Sequence, residues 1–130
     1  MNFKKAFGLT VSTLALSLLV LGNANAKSFT VKCKSTATRS KISVDDTGLN
    51  RAQYRALVTS GGVTVPSKNL KLPVAGEVEF DFDSNTADVN AGATRVAPTF
   101  IKNKRVVGTV QRRNSNGTFS TVSSMSATCQ

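Results

Sequence analysis

The chain has no histidine and no tryptophan, and it contains one tyrosine and two cysteines. Without histidine it cannot form the Ser-His or Cys-His pairs that activate the nucleophile of many hydrolases, nor the usual zinc and copper sites. It also lacks a glycine-rich loop that could cradle a phosphate, because its one Gly-Gly pair, Gly61-Gly62, is an ordinary turn sequence. We therefore expect neither enzymatic activity nor a cofactor.

The sequence also lacks an apolar run long enough for a good membrane-spanning helix. The longest apolar stretch covers roughly residues 7–21, whereas a spanning helix needs about 20 apolar residues. Lys4 and Lys5 precede this stretch, and Ala24 and Ala26 follow it at the small-residue positions that signal peptidase requires. This order of features predicts a signal peptide of bacterial type.

Residues 1–26 are accordingly predicted to be a cleaved signal peptide, and residues 27–130 a single exported domain, periplasmic or extracellular. We expect no transmembrane segment after cleavage. The remaining chain is long enough for one domain with a modest core and too short for two. It keeps 15 basic residues against seven acidic ones, which gives a formal charge of +8. Such a charge favours anionic partners.

The two cysteines, Cys33 and Cys129, lie near opposite ends of the predicted domain. In the oxidising compartments outside the cytoplasm, such a pair is expected to form a disulfide. Closing so long a loop is worth about 4–5 kcal/mol in the chain-entropy model. Because small domains are stable by only about 5–15 kcal/mol, this bridge is predicted to be a major stabilising element that ties the first strand to the last.

Apolar and polar residues alternate along most of the predicted domain, which is the period of a β-strand with one buried face. In the segment SFTVKCK, Phe29, Val31 and Cys33 alternate with polar residues, and GEVEFDF repeats this pattern around Phe80. Turn sequences such as SGG and NSNG separate these segments. The pattern predicts seven or eight short strands in about a hundred residues.

The expected fold is all-β, a small antiparallel β-sandwich of immunoglobulin-like architecture with one disulfide, and a small β-barrel is the alternative. The dipeptide Asn116-Gly117 predicts a tight hairpin turn before the last strand. Residues 99–101 predict a further strand, and the stretch DSNTADVNAGAT before them is predicted to be a long polar connection.

Five of the seven acidic residues lie in one stretch, GEVEFDFDSNTAD. Its ligand-like residues Asp83, Asn85 and Asp88 are a candidate calcium site. A calcium loop of the EF-hand kind is excluded, because the sixth and twelfth positions counted from Asp81 are Thr86 and Gly92 instead of Gly and Glu. A looser calcium site at one end of the sandwich stays open.

The same stretch could in principle supply a catalytic carboxylate pair. Its alternate residues Glu77, Glu79, Asp81 and Asp83 share one strand face, opposite the apolar residues. Catalysis requires two carboxyls in different environments, and four like charges on one solvated face give little reason for any pKa to rise. We therefore expect the solvent side of a strand, faced by Arg105 and Arg113 from a neighbouring strand.

Basic residues concentrate near the start and the end of the predicted domain. If the disulfide brings these segments together, they can merge into one positive face. The predicted face comprises Lys32, Lys34, Lys41, Lys102, Lys104, Arg105, Arg112 and Arg113. A surface that binds an anionic glycan or a lipid headgroup needs only positive charge. A surface that binds nucleic acid would normally also present aromatic side chains for stacking, and only Tyr54 or Phe100 could serve for that.

The sequence thus predicts a non-enzymatic binding or structural module of the bacterial cell envelope. Its expected partners are an anionic glycan, a lipid headgroup or an envelope protein, and nucleic acid is not expected. The alternative is a calcium-binding or inhibitory domain that uses residues 81–97.

Overall fold

The computed structural model describes residues 27–130, and the predicted signal peptide lies outside them. Within this part of the chain no helix is long and apolar enough to cross a membrane. Its elements, in chain order, are β1 (Phe29–Thr36), β2 (Arg39–Asp46), β3 (Tyr54–Ser60), β4 (Val63–Pro66), β5 (Val78–Asp83), α1 (Thr86–Asn90), β6 (Thr94–Arg95), β7 (Arg105–Arg113) and β8 (Phe119–Thr128).

The strands form two sheets of four. The first sheet has the order β1-β2-β5-β6 and the second the order β4-β3-β7-β8. Every named pairing is antiparallel except that of β5 with the two-residue strand β6. The predicted all-β fold, a small antiparallel-rich β-sandwich, is confirmed.

The alternation of apolar residues in the sequence becomes the core between the two sheets. The inner faces of the four central strands carry fully buried side chains: Ile42, Val44, Ala56, Val58, Val78, Phe80, Phe82, Val106 and Val110. Gly108 lies among them on β7, and a Cβ there would come within 2.6 Å of Val31 Cγ2. This glycine therefore lets β7 approach β1 across the core.

The predicted disulfide is confirmed. Cys33 on β1 and Cys129 after β8 are bonded, with their Cα atoms 4.7 Å apart. The chain end also joins β1 through its backbone, because Gln130 N donates to Cys33 O at 3.0 Å and Ser35 N donates to Gln130 O at 2.7 Å. The bridge thus ties the two sheets together at one edge, and it fits an oxidising, exported location.

The predicted strand at residues 99–101 is wrong, because this segment is a loop. Phe100 and Ile101 are nevertheless buried, since the loop folds over the end of the sandwich. Ser40 holds it there: its hydroxyl donates to Pro98 O at 2.8 Å and accepts from Ile101 N at 3.2 Å. The polar connection predicted before it contains α1 and the first residue of β6.

Candidate functional site

Six cationic side chains lie at one end of the sandwich, where β1 and β8 end and β2 and β7 begin. This set, here called the basic end, comprises Lys34, Arg39, Lys41, Lys102, Lys104 and Arg105. The chain end joins its two halves. Lys34 lies between the two residues of β1 that bond to Gln130, and on the other side Cys129 N donates to Lys104 O at 2.8 Å.

The first half of the basic end is the β1–β2 hairpin. Lys34 and Lys41 are directly opposite each other in the register of the two strands. With Thr36 and Arg39 they line a cleft of about 370 Å³. Like charges directly opposite each other on a sheet are destabilising. The arrangement therefore places two ammonium groups where an anion would relieve their repulsion.

The second half is a tight turn at residues 102–105, in which Arg105 N donates to Lys102 O at 3.1 Å. Both central residues have left-handed backbone, with φ of 53° at Asn103 and 55° at Lys104. Asparagine tolerates this conformation, but for lysine it costs about 1–2 kcal/mol. The Ser60 hydroxyl fixes the turn, accepting from Lys102 N and donating to Arg105 O, both at 2.7 Å.

Arg39 differs from the other cations of the basic end because carboxylates neutralise it. Its guanidinium donates to both oxygens of Asp83, at 2.9 and 2.7 Å, and to Asp88 at 2.8 Å. Burial opposes ionisation of Asp83, but the bonds from Arg39 and from Asn85 N outweigh it, and the pKa of Asp83 is lowered. Hydrogen bonding to Asp83 in turn raises the pKa of Arg39.

The other five cations of the basic end make no ion pair within residues 27–130. Lys41 also lies directly opposite Asp83 in the register of β2 and β5, and its charge helps to lower the pKa of Asp83. The charge of the other four cations is available to a ligand, while Arg39 anchors the hairpin to β5 and α1.

The candidate calcium ligands Asp83, Asn85 and Asp88 do lie close together. Their oxygens, however, already serve other groups: the two carboxylates hold Arg39, and Asn85 Oδ1 accepts from Asp88 N at 3.2 Å as the N-cap of α1. Among the described residues, no group of three or more His, Cys, Asp or Glu side chains is arranged to hold a metal ion. Here a guanidinium occupies the centre of the carboxylate cluster.

The structure gathers five of the eight predicted basic residues at the basic end and separates the other three. Lys32 lies on the outer face of the first sheet, in the middle of β1. Arg112 and Arg113 end β7 at the opposite end of the sandwich, about 25 Å from Arg105 along the strand. Arg39, which the predicted face omitted, completes the cluster.

The predicted pairing of the acidic strand with Arg105 and Arg113 is wrong, because these residues belong to the second sheet and β5 to the first. Glu79 instead lies directly opposite Asp45 of β2. Burial and then the charges of Glu77 and Asp81 raise the pKa of Asp45, one of whose carboxylate oxygens is buried without a hydrogen bond.

The pKa of Glu79 is also raised, by Asp45 first and then by Asp81. The expectation that no carboxyl pKa on this face would rise is therefore wrong. The sequence pattern could not identify Asp45, because it lies more than thirty residues away in the chain and reaches β5 only through the register of β2.

Comparisons with protein-family models, curated proteins and solved structures find no match.

Proposed function

We propose that the protein is an exported, non-enzymatic binding module of the cell envelope that engages an anionic ligand through its basic end. The observation that carries this proposal is the convergence of five unpaired cations from two separate segments around a disulfide-bonded chain end. Lys34 and Lys41 belong to one segment, and Lys102, Lys104 and Arg105 to the other.

Two features of the basic end favour a binding role over general solubility. Charges that serve solubility alone have no reason to lie directly opposite a like charge, as Lys34 and Lys41 do. A lysine with left-handed backbone carries a conformational cost that glycine at Lys104 would avoid. Strain of this kind tends to persist at functional sites.

The ligand class follows from the same residues. Lysine ammonium groups bind as point charges, which suits phosphate and sulfate groups as well as carboxylates. Tyr54 and Phe100, the two aromatic residues considered for stacking, are both buried. An anionic glycan or a lipid headgroup therefore fits better than a nucleic acid.

The test is retention of the purified, disulfide-bonded protein on an immobilised sulfated glycan, on lipopolysaccharide and on phosphatidylglycerol vesicles across a salt gradient. Two charge-reversal variants provide the comparison: Lys102→Glu/Lys104→Glu at the basic end and Arg112→Glu/Arg113→Glu at the opposite end. The two variants change the net charge by the same amount, one in the turn before β7 and the other at the end of β7, so bulk electrostatics would affect them equally.

We expect the Lys102→Glu/Lys104→Glu variant to elute at clearly lower salt from the preferred ligand, and the Arg112→Glu/Arg113→Glu variant to elute close to the unmodified protein. Preference for the glycan or for the vesicles identifies the source of the anion. Equal loss in both variants, on every support, would refute an organised site.

A further inference from the structure

Arg39 has donor groups that its two carboxylates leave unused. A guanidinium carries five N–H donors. The Nε–H and the two N–H groups of Nη2 account for the three bonds to Asp83 and Asp88. The two remaining donors are both on Nη1, and they make no hydrogen bond within residues 27–130. Since the Arg39 side chain is 37% exposed, this edge of the guanidinium can face a ligand.

The carboxylates also hold the Arg39 guanidinium in one position. Asp83 accepts from it through both oxygens, and this carboxylate is only 2% exposed. A planar, bidentate pair of this kind fixes the orientation of the guanidinium. Nη1 is therefore a preorganised donor, because an anion that binds it does not have to order a flexible side chain.

The neighbours of Arg39 in the β1–β2 hairpin complete a small site. Thr36 lies directly opposite Arg39, and Lys34 directly opposite Lys41. The Cβ atoms of such opposite residues are about 5 Å apart, and alternate residues along a strand are about 6.5 Å apart. All four side chains line the cleft of about 370 Å³, so they can contact one small group together. Thr36 Oγ accepts from Thr38 N at 3.4 Å, and its O–H makes no hydrogen bond in the described part of the chain.

The charges around the cleft indicate the charge of the group that it holds. Three cations, Lys34, Arg39 and Lys41, lie beside two carboxylates, Asp83 and Asp88, which leaves one net positive charge. One singly charged anion neutralises it. Sulfate esters, phosphodiesters and carboxylates carry one negative charge, whereas a phosphate monoester carries almost two at neutral pH.

We propose that the hairpin cleft holds one singly charged oxyanion group of the ligand. This group accepts hydrogen bonds from Arg39 Nη1 and from the Thr36 hydroxyl, and the ammonium groups of Lys34 and Lys41 flank it. The inference rests on the proposed function and adds to it the position and the charge of the bound anion. The turn at residues 102–105 then contacts a further part of the same ligand.

Asp88 opposes the anion in this site. Its carboxylate occupies one N–H of Arg39 Nη2, next to the unused Nη1, and it is 43% exposed. Its negative charge therefore repels an anion that binds to Nη1. Removing this charge should tighten binding, which is a result that a loss of structure cannot imitate.

The test is an NMR titration of the isotope-labelled, disulfide-bonded protein with methyl sulfate and with dimethyl phosphate, at an ionic strength held constant with chloride. Methyl sulfate represents the ester of a sulfated glycan, and dimethyl phosphate the diester of a phospholipid headgroup. The backbone amides of residues 34–41 and the Arg39 guanidinium resonances report on the cleft. Asp88→Asn is compared with Glu77→Gln, which changes the net charge equally but precedes β5, at the opposite end of that strand from Asp83.

We expect saturable shifts at residues 34–41 and at the Arg39 guanidinium with at least one of the two probes, and the tighter probe identifies the source of the anion. The Kd should fall roughly threefold or more in Asp88→Asn and change little in Glu77→Gln. Arg39→Lys, which keeps the charge but lacks Nη1, should raise the Kd by roughly threefold or more.

A parallel titration with a sulfated oligosaccharide separates this inference from the proposed function. If the oligosaccharide binds saturably but the small probes shift only residues 102–105, or shift nothing, the cleft is refuted and the proposed function stands. Equal Kd values in Asp88→Asn and Glu77→Gln would also refute the cleft. If neither the oligosaccharide nor the probes bind saturably, both proposals are refuted.

Discussion

At the residue scale, the best-connected side chain of the basic end is Arg39. Two carboxylates share its guanidinium, and one of them, Asp83, is only 2% exposed. Asp83 also accepts a hydrogen bond from Asn85 N at 3.0 Å, which ties the start of the α1 region to the hairpin. A single cation thus connects the β1–β2 hairpin to the end of β5 and to α1, more than forty residues further along the chain.

Asp83→Asn should lower the free energy of unfolding at pH 7 by about 1–2 kcal/mol, because it leaves part of the Arg39 charge unpaired while solvent screens the remainder. The folded-state pKa of Asp83 is lowered, so the contribution of its carboxylate is complete above the ordinary value of 3.8 and is lost as pH falls through the folded-state pKa. Urea denaturation at neutral and at acidic pH measures this dependence.

Asp81→Asn is the control for that experiment, since Asp81 lies on the solvent face of the same strand. It should not destabilise the protein at either pH. A loss in Asp83→Asn that persisted at acidic pH would contradict an ionic role for Asp83.

Lys104 provides a second prediction at this scale. Lys104→Gly should raise the free energy of unfolding by about 1 kcal/mol, because glycine adopts a positive φ without steric cost. The same variant should elute from an anionic ligand at lower salt. Asn103→Gly, at the neighbouring left-handed position, should stabilise the protein less and leave retention unchanged. A fall in both stability and retention for Lys104→Gly would indicate that the lysine contributes to the fold instead.

At the element scale, the notable pairing is that of β2 with β5. Asp45 and Glu79 are directly opposite each other, and nearby carboxylates add to their repulsion. Basic residues lie close to them: Lys32 lowers the pKa of Asp45, and Lys71 that of Glu79, but neither outweighs the effects that raise these values. The packing of its apolar inner face therefore holds the first sheet together, despite the repulsion between carboxylates on its outer face.

Glu79→Gln should raise the free energy of unfolding by about 0.5–1 kcal/mol at neutral pH. Folding raises the pKa values of both Asp45 and Glu79, so the repulsion between their carboxylates destabilises the folded protein at pH values above the folded-state pKa values. It disappears as pH falls below the ordinary values of 3.8 for Asp45 and 4.5 for Glu79. The increase in the free energy of unfolding caused by Glu79→Gln should therefore shrink as the pH is lowered, and denaturant titrations at several pH values test this.

A double-mutant cycle with Asp45→Asn isolates the pair. The two substitutions should be less than additive at neutral pH, because either one alone relieves the same repulsion. Full additivity would show that the two carboxylates do not interact.

The elements that the sequence predicted well are those with a regular period. Strands such as β5 alternate strictly, and the core follows from that alternation. Residues 99–101 have the composition of a strand but form a loop, because Ser40 binds the loop backbone while Phe100 and Ile101 pack into the core, and no local pattern contains these tertiary contacts. The bond between Ser40 and this loop joins residues about sixty positions apart.

At the scale of the whole molecule, the disulfide and the chain end connect the two sheets and also the two halves of the basic end. The sequence indicated the bridge and the clustering of basic residues near it. It could not indicate that Arg112 and Arg113 lie at the far end, because that depends on the direction and length of β7. It also left out Arg39, whose role depends on the distant Asp83 and Asp88.

Replacing both cysteines with serine should lower the free energy of unfolding by about 2–5 kcal/mol. It should also lower the salt concentration at which the protein leaves an anionic ligand, because the chain end that lies between Lys34 and Lys104 is then held by hydrogen bonds alone. Thermal unfolding and retention, measured on the same preparation at a temperature where the variant is folded, separate the two effects. Unchanged retention in the folded variant would show that the two halves bind independently.

The most direct test of an organised basic end is a titration of the isotope-labelled, disulfide-bonded protein with a sulfated oligosaccharide, followed by backbone amide resonances. We expect saturable shifts at residues 34–41, at residues 102–105 and at Gln130, with Arg112 and Arg113 unaffected. Shifts of similar size at both ends of the sandwich, without saturation, would contradict it and reduce the +8 charge to a nonspecific attraction.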